Sequence, residues 1–323
     1  MIDRRTAIGA FAALPLLSTI PRAAGSQRSS SPTPALHTRP VAGASEPVPV
    51  IGIGTARRFQ GASTEEQLAV LRGTVSRFVE LGGRLIDTAP SYGDAEATVG
   101  RLVEELGVRD RLFLATKVAG ANAAEGQAQI DQSFRNLRTR VIDLIALHNV
   151  QDAPNKLALM RDMKAQGRVR SIGASTSSPA GFATTVGATS SSPNQYANFE
   201  ALMRRERLDV IQVDYAIDNR GAGERILPLA QEQGLAVMVN LPFGRGRLFQ
   251  ATQQRPLPGW APEIGATSWA QVFLKYIVSH PARPIAIPGM ARASYVDDNL
   301  GAARGPLPDA AVRRRMEQFI DAL

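Results

Sequence analysis

Eight short apolar runs recur from residue 48 onward, and their spacing constrains the fold more than any other feature of the chain. They are VPVIGIG (48–54), RLIDT (84–88), RLFLATKV (111–118), VIDLIALHN (141–149), VRSIGAS (169–175), LDVIQVDY (208–215), LAVMVNL (235–241) and PIAIPG (284–289). β-Branched residues and leucine dominate, mostly without polar alternation. That pattern suits strands covered on both faces, as in a parallel sheet. Amphipathic stretches lie between the runs. In TEEQLAVLRGTVSRFVEL (64–81), Leu68, Leu71, Val75, Phe78 and Val79 fall at helical spacing. Thr64 with Glu65 and Glu66 starts that helix, and Gly82-Gly83 stops it. WAQVFLKYIVS (269–279) reads as another helix, halted by Pro281. Strands alternating with helices make βα units. Eight of them over residues 48–323 predict an α/β chain folded as a (β/α)8 TIM barrel. An open doubly wound sheet is the competitor, and would want Gly-x-Gly-x-x-Gly after the first strand. Gly52-Ile53-Gly54-Thr55-Ala56-Arg57 puts an arginine where the third glycine belongs.

The first 47 residues have a different character. Arg4-Arg5 precedes an apolar run from Ala7 to Ile20, followed by the small residues Ala23-Ala24-Gly25. A charged, then apolar, then small-residue order predicts a signal peptide over residues 1–25. The twin arginines point to the Tat route, hence to a periplasmic or secreted location, with a cytoplasmic one as the alternative. Residues 26–47, rich in serine, proline and alanine, read as a disordered linker. His37 lies within it, away from any predicted chemistry.

Composition removes several function classes. The chain has no cysteine, which excludes disulfides, thiolate metal sites and cysteine nucleophiles. His37, His148 and His280 are its three histidines, and no HExxH spacing occurs, so no metal site is expected. The formal charge of +8 is dispersed, with no basic run longer than Arg313-Arg314-Arg315 and no interleaved aromatic pattern. That argues against nucleic acid, whereas an anionic small ligand accounts for scattered arginines.

Catalytic groups of such a barrel gather at the C-terminal ends of its strands. Those ends carry Asp87 on the second strand, Lys117 on the third, His148 on the fourth, Ser175 on the fifth and Gln212 on the sixth, with Tyr92 in the loop after the second. In a chain with four lysines and three histidines, ionisable groups closing successive strands are informative. A phenol, with an ordinary pKa of about 10, donates a proton at neutral pH. A nearby cation makes the phenolate left behind less costly, and Lys117 is the candidate. A buried lysine needs a counter-charge, and Asp87 is the candidate. His148 is placed to hydrogen-bond a carbonyl oxygen and orient it. Each has a plain structural alternative: a turn cap for Asp87, a loop residue for Tyr92, a surface lysine for Lys117, a satisfied structural histidine for His148. Together in one layer they suit reduction of a carbonyl, with hydride from a nicotinamide and the proton from Tyr92.

These residues resemble the aldo-keto reductase family. Asp87-Thr88-Ala89 with Tyr92-Gly93 and Glu96 through Val99-Gly100 is similar to that family's first signature. Ala115-Thr116-Lys117 resembles its lysine strand, Asp143 through His148 its histidine strand, and Ser171 through Ser175 the segment whose serine meets the nicotinamide amide. Ile211 through Tyr215, Pro242 through Gly246, and Ile287-Pro288-Gly289 with Asp298 through Gly301 continue the resemblance in the same order. It implies a tetrad of Tyr92, Asp87, Lys117 and His148, with Tyr92 as proton donor. It also implies NADPH as cofactor, held by Gly54, Thr55, Asp87, Ser175, Gln212, Asn240, Leu241, Gly244, Arg245, Gly289, Arg292, Asp298 and Asn299. Asn240 stands where the family often has a stacking tyrosine, and Gly289, Met290 and Tyr295 replace a lysine, a hydroxyl residue and an arginine. Thr176 stands where asparagine is common. Two other readings share the barrel: a dinucleotide-binding or sensing protein with little turnover, and a hydrolase using Asp87 and Asp143. Substrate contacts are expected in the loops, from Phe59, Asn149, Phe243 and Trp260.

Overall fold

A computed structural model describes residues 34–150, 153–177 and 195–323. The predicted signal peptide and residues 26–33 of the predicted linker lie outside the described residues. Two short strands come first: β1 (Thr38–Arg39) and β2 (Val48–Pro49) pair antiparallel. Then follow the barrel strands β3 (Ile53–Gly54), β4 (Leu85–Asp87), β5 (Phe113–Val118), β6 (Ile142–His148), β7 (Val169–Ser175), β8 (Val210–Asp214), β9 (Ala236–Asn240) and β10 (Ile285–Ala286). These eight are parallel and paired in chain order. Closure comes from the first and last of them. Ile51 bridges Ala286, Gly54 bridges Gly289, and the Gly52 and Gly54 amides donate to Ala286 O and Pro288 O at 2.9 Å each. Gly54 has no room for a side chain here, because a Cβ would stand 2.7 Å from Ile287 O. The predicted (β/α)8 barrel is the observed fold.

The outer layer is helical. Among the described residues it contains α1 (Glu65–Glu80), α2 (Ala95–Leu106), α3 (Ala123–Asn136), α4 (Ala153–Ala165), α5 (Gln195–Arg205), α6 (Ile226–Glu232), α7 (Arg247–Ala251), α8 (Trp269–Val278), α9 (Ala293–Gly301) and α10 (Ala310–Asp321). The predicted start of α1 is a capping box: Thr64 Oγ1 accepts from Gln67 N, and Gln67 Oε1 accepts from Thr64 N. Ser268 caps α8 by accepting from Gln271 N at 3.1 Å, and α8 is buried from Ala270 to Val278. Among the described residues, no helix is long and apolar enough to cross a membrane.

Two expectations need correction at the N-terminal side. The run 48–54 is not one strand, since Val48–Pro49 pairs with β1 and only Ile53–Gly54 joins the barrel. Residues 34–47, read as linker from their composition, carry β1 and the buried Val41. His37 also holds this segment in place. Its amide donates to Ala303 O at 2.7 Å and its Nε2 lies 2.8 Å from Gly305 O. Composition missed this because one valine and backbone bonds suffice when a preformed barrel supplies the rest of the apolar surface.

Strand periodicity places the site. Successive side chains point to opposite faces. Leu85, Phe113, Ala115, Leu144, Val210, Met238 and Ile285 form one apolar cluster with Val41 and Val48 of the hairpin. Ile86, Leu114, Ile145, Leu147, Ile211, Val213, Val237 and Val239 belong to the larger cluster under the helices. The first set is the barrel interior, closed at one end by the hairpin. Two residues further along the same faces come Asp87, Lys117, Gln212 and Asn240, and four beyond Leu144 comes His148. The strands therefore deliver these polar groups into the barrel mouth at their C-terminal ends.

Candidate active site

Asp87, Lys117, Tyr92 and His148 meet in that mouth. Lys117 Nζ donates to Asp87 Oδ1 at 2.9 Å, Asp87 Oδ2 at 2.8 Å and Thr88 O at 2.9 Å. Both side chains are buried, so the pair is held in low dielectric. Burial alone would push the Lys117 ammonium down, but the Asp87 and Tyr92 charges overcome it and hold the group above the ordinary lysine value. Burial raises the Asp87 carboxyl, an effect that Lys117 partly offsets. The proton stays on Lys117, whose three N–H groups meet three oxygens.

Tyr92 lies in the turn between β4 and α2. Its ring centroid is 4.9 Å from Lys117 Nζ and 6.4 Å from the His148 ring, nearly perpendicular to it. Burial raises the Tyr92 phenol above its ordinary value, and Lys117 opposes that rise. The phenol is therefore protonated at neutral pH and sits beside a fixed cation. His148 is pushed down to about 4 by burial and, secondarily, by Lys117. It is a neutral imidazole, able to donate one N–H to a carbonyl oxygen.

These groups open into a cavity of about 610 Å³. Of the residues predicted for a cofactor, Gly54, Asp87, Ser175, Asn240, Leu241, Arg245 and Gly289 line it. Thr55 and Gln212 are buried beside it, next in chain or register to Gly54 and Ser175. Gly244, buried with a φ of 53°, packs against Arg247 and Asp218. Arg292 is exposed at the start of α9, and Asn299 is buried on that helix. Asp298 is engaged elsewhere, accepting from Ser268 Oγ at 3.0 Å and Gln271 Nε2 at 2.9 Å, which ties α9 to α8. Four buried side-chain atoms around the mouth have no hydrogen-bond partner: Thr55 Oγ1, Thr88 Oγ1, Thr176 Oγ1 and Asn240 Oδ1. Orphaned polar atoms in one place mark where a polar ligand belongs.

The expected substrate contacts divide evenly. Asn149 and Phe243 line the cavity. Phe59 is fully buried in the core, and Trp260 packs on Phe319 at 6.2 Å. Arg57, Arg58, Ser91, Ser177 and Phe249 also line the cavity and were not expected there. Arg57 enters the sequence reading only as the residue that spoils a glycine-rich motif. Its position directly after a strand end is the signal that could have found it. The hydrolase pair is not assembled. Asp143 sits on the helix-facing side of β6, where it accepts from Arg109 Nη2 and Leu114 N at 2.8 Å each and from Arg170 Nη1 at 2.6 Å.

Comparison with known proteins agrees with this geometry. Residues 50–319 match the Aldo/keto reductase family. The methylglyoxal reductase YeaE of Escherichia coli K12 is 31% identical over 264 residues, covering 78% of this chain and 84% of the relative. The methylglyoxal reductase DkgB of Yersinia pestis is 29% identical over 231 residues, covering 68% of this chain and 80% of the relative. Among solved structures, an aldo/keto reductase of Klebsiella pneumoniae in complex with NADP and acetate superposes with a TM-score of 0.72 at 26% identity, covering 88% of this chain and 96% of that one. With the barrel, the buried aspartate–lysine pair, the tyrosine and the histidine in place, the chain belongs to the aldo/keto reductase family.

Proposed function

We propose that the protein reduces an aldehyde or ketone with NADPH, and that Tyr92 is its proton donor. The observation that carries this is the Lys117 ammonium, locked to Asp87 at 2.8 Å and set 4.9 Å from the Tyr92 ring. The residues present suit a nicotinamide dinucleotide. Asn240 Oδ1, on the cavity wall, is an orphan acceptor, and a carboxamide N–H complements it. When bound, NADPH supplies the hydride. Tyr92 supplies the proton to the carbonyl oxygen, and Lys117 stabilises the phenolate that remains. Asp87 keeps Lys117 charged and aimed. Neutral His148 donates to the carbonyl oxygen and fixes its position without competing for the proton.

Tyr92→Phe is expected to lower kcat by roughly 10²–10⁴-fold, the usual contribution of a positioned general acid, with NADPH affinity retained. Fluorescence titration and steady-state kinetics measure the two separately. Unchanged turnover would remove Tyr92 from the role. Tight NADPH binding with no reduction of any aldehyde would favour the sensing reading, to which Asn240 lends support because it cannot offer an aromatic face to the nicotinamide. The residue order of Arg4-Arg5, the apolar run and Ala23-Ala24-Gly25 supports export by the Tat route, with the barrel folded before it crosses.

A further inference from the structure

Glu96 is a buried carboxyl group with no part in the chemistry described so far. It is the second residue of α2 and is 1% exposed. The buried carboxylates of β4 and β6 have cations: Asp87 pairs with Lys117, and Asp143 with Arg109 and Arg170. Glu96 forms no ion pair among the described residues, and its partners are neutral. Thr116 Oγ1 donates to Glu96 Oε1 at 2.6 Å, and Asn136 Nδ2 donates to Glu96 Oε2 at 3.2 Å. Gln132 Nε2 donates to Asn136 Oδ1 at 2.7 Å, which aims the Asn136 amide nitrogen at Glu96. Burying a carboxyl group without a cation is costly, even at a helix start, where acidic side chains are favoured. Val99, Leu102 and Val103 already pack α2 onto the core without it.

What the carboxyl group joins is specific. Thr116 precedes Lys117 on β5. Successive side chains of a strand point to opposite faces, so Thr116 faces α2 while Lys117 enters the mouth. On the other side, a bonded turn connects Glu96 to Tyr92. Tyr92 N donates to Ala89 O at 3.0 Å, Ala95 N donates to Tyr92 O at 3.1 Å, and Gly93 holds a φ of 59°. Glu96 thus ties the helix that follows Tyr92 to the strand that carries Lys117. One helical turn on, a Cβ at Gly100 would collide with Asn136 O, so α2 lies directly on the end of α3. The turn has a second anchor, since Gly61 N donates to Asp94 Oδ1 at 2.7 Å. That bond is exposed, whereas the Glu96–Thr116 bond is buried and sits one residue from Lys117. Buried polar networks whose members are satisfied rigidify what they join.

We propose that Glu96 is a positioning residue for proton transfer: through Thr116 it sets the spacing between the Tyr92 phenol and the Lys117 ammonium, which lies 4.9 Å from the ring centroid. This rests on the reading of Tyr92 as the proton donor. Loosening α2 leaves Lys117 locked to Asp87, because β4 and β5 are joined by their own backbone bonds, with Thr88 N donating to Ala115 O at 2.9 Å. The displacement falls on the phenol. A small misplacement of a reacting group is costly in rate even when it starts away from the chemistry. Neither Glu96 nor Thr116 lines the cavity, so NADPH binding is left alone.

The test compares Thr116→Val, which removes the hydroxyl donor, with Thr116→Ser, which keeps it, and adds Glu96→Ala and the double variant of Glu96→Ala with Thr116→Val. Turnover of 4-nitrobenzaldehyde is measured per NADPH-binding site at saturating NADPH, so that loss of folded protein does not enter. Thr116→Val and Glu96→Ala are each expected to lower kcat by roughly tenfold or more, with unchanged NADPH affinity. The double variant is expected to match the singles, because both delete one contact, and Thr116→Ser to keep wild-type turnover. Full turnover in Thr116→Val overturns the proposal, as do losses that multiply in the double variant or that follow weakened NADPH binding. Where Glu96→Ala does not fold, Thr116→Val against Thr116→Ser decides alone. A second readout needs no turnover. In NMR of protein labelled at tyrosine Cζ, the Tyr92 signal is the one absent from Tyr92→Phe. It is expected to shift in Thr116→Val and to return in Thr116→Ser, while the Tyr215 and Tyr276 signals stay in place. An unmoved Tyr92 signal overturns the proposal. If the wild type reduces no aldehyde, the reductase reading fails, and this signal decides whether Glu96 positions Tyr92.

Discussion

At Lys117 one ammonium meets three oxygens, two from Asp87 and one from the Thr88 carbonyl. Removing one member of a buried pair strands the other without compensation. Lys117→Met is therefore expected to destabilise the fold by about 3–5 kcal/mol in urea unfolding, and the double variant with Asp87→Asn to recover part of the loss. No recovery would mean that the pair is not the dominant contact at this position. Histidine gives a second prediction at this scale. Burial, followed by Lys117 at His148 and Arg313 at His280, pushes both groups down to about 4 from the ordinary 6.5. Between those values the unfolded chain binds protons that the folded chain refuses. Stability is thus fully present above 6.5 and is lost as pH falls through about 4. Each histidine is expected to contribute roughly 1–2 kcal/mol to that slope after solvent screening. Urea midpoints measured across the window should flatten in His148→Gln, and an unchanged slope would show that His148 titrates normally.

Elements explain why those residues meet. Each barrel strand is apolar on both faces, yet the faces differ: one packs under the helices, the other fills the barrel with Leu85, Phe113, Leu144, Val210 and Met238. Continuing the interior face past that layer reaches Asp87, Lys117, His148, Gln212 and Asn240. The opposite end is closed by the β1–β2 hairpin through Val41 and Val48. Comparing a chain that starts at Pro34 with one that starts at Val48 isolates the hairpin. The shorter chain loses Val41, the β1 pairing and the His37 bonds to Ala303 and Gly305. It is expected to be less stable by about 3 kcal/mol, the scale of one buried valine and a few net hydrogen bonds. Equal urea midpoints would return residues 34–47 to the status of a linker.

At the scale of the whole molecule, the barrel positions the site, and the proposed export signal concerns where the protein works. A dinucleotide is scarce outside the cytoplasm, so the proposed export route requires a barrel that folds around it first and keeps the two together. Cells producing the protein are expected to hold it in the periplasmic fraction with its mass shortened by about the predicted 25-residue segment, and Arg4→Lys with Arg5→Lys to retain it uncleaved in the cytoplasm. Full-length wild-type protein found only in the cytoplasm would sink the export reading.

Periodicity and strand-end chemistry were enough, from sequence alone, for the barrel, the order of its strands and the meeting of Asp87, Tyr92, Lys117 and His148 at its mouth. Those features are local: a run of apolar residues defines a strand, and a polar residue at its end falls at the barrel mouth whatever the helices do. Three things needed the tertiary structure. The hairpin floor was hidden because Ser- and Pro-rich composition says nothing about surface that other segments supply. That the Asp298 carboxylate accepts from Ser268 and Gln271, tying α9 to α8, is visible only once those helices are packed together. Arg57 and Arg245, 188 positions apart in the numbering, meet only when closure of the barrel brings the loops after β3 and β9 to one cavity. Distance in space between remote loops is what the fold decides.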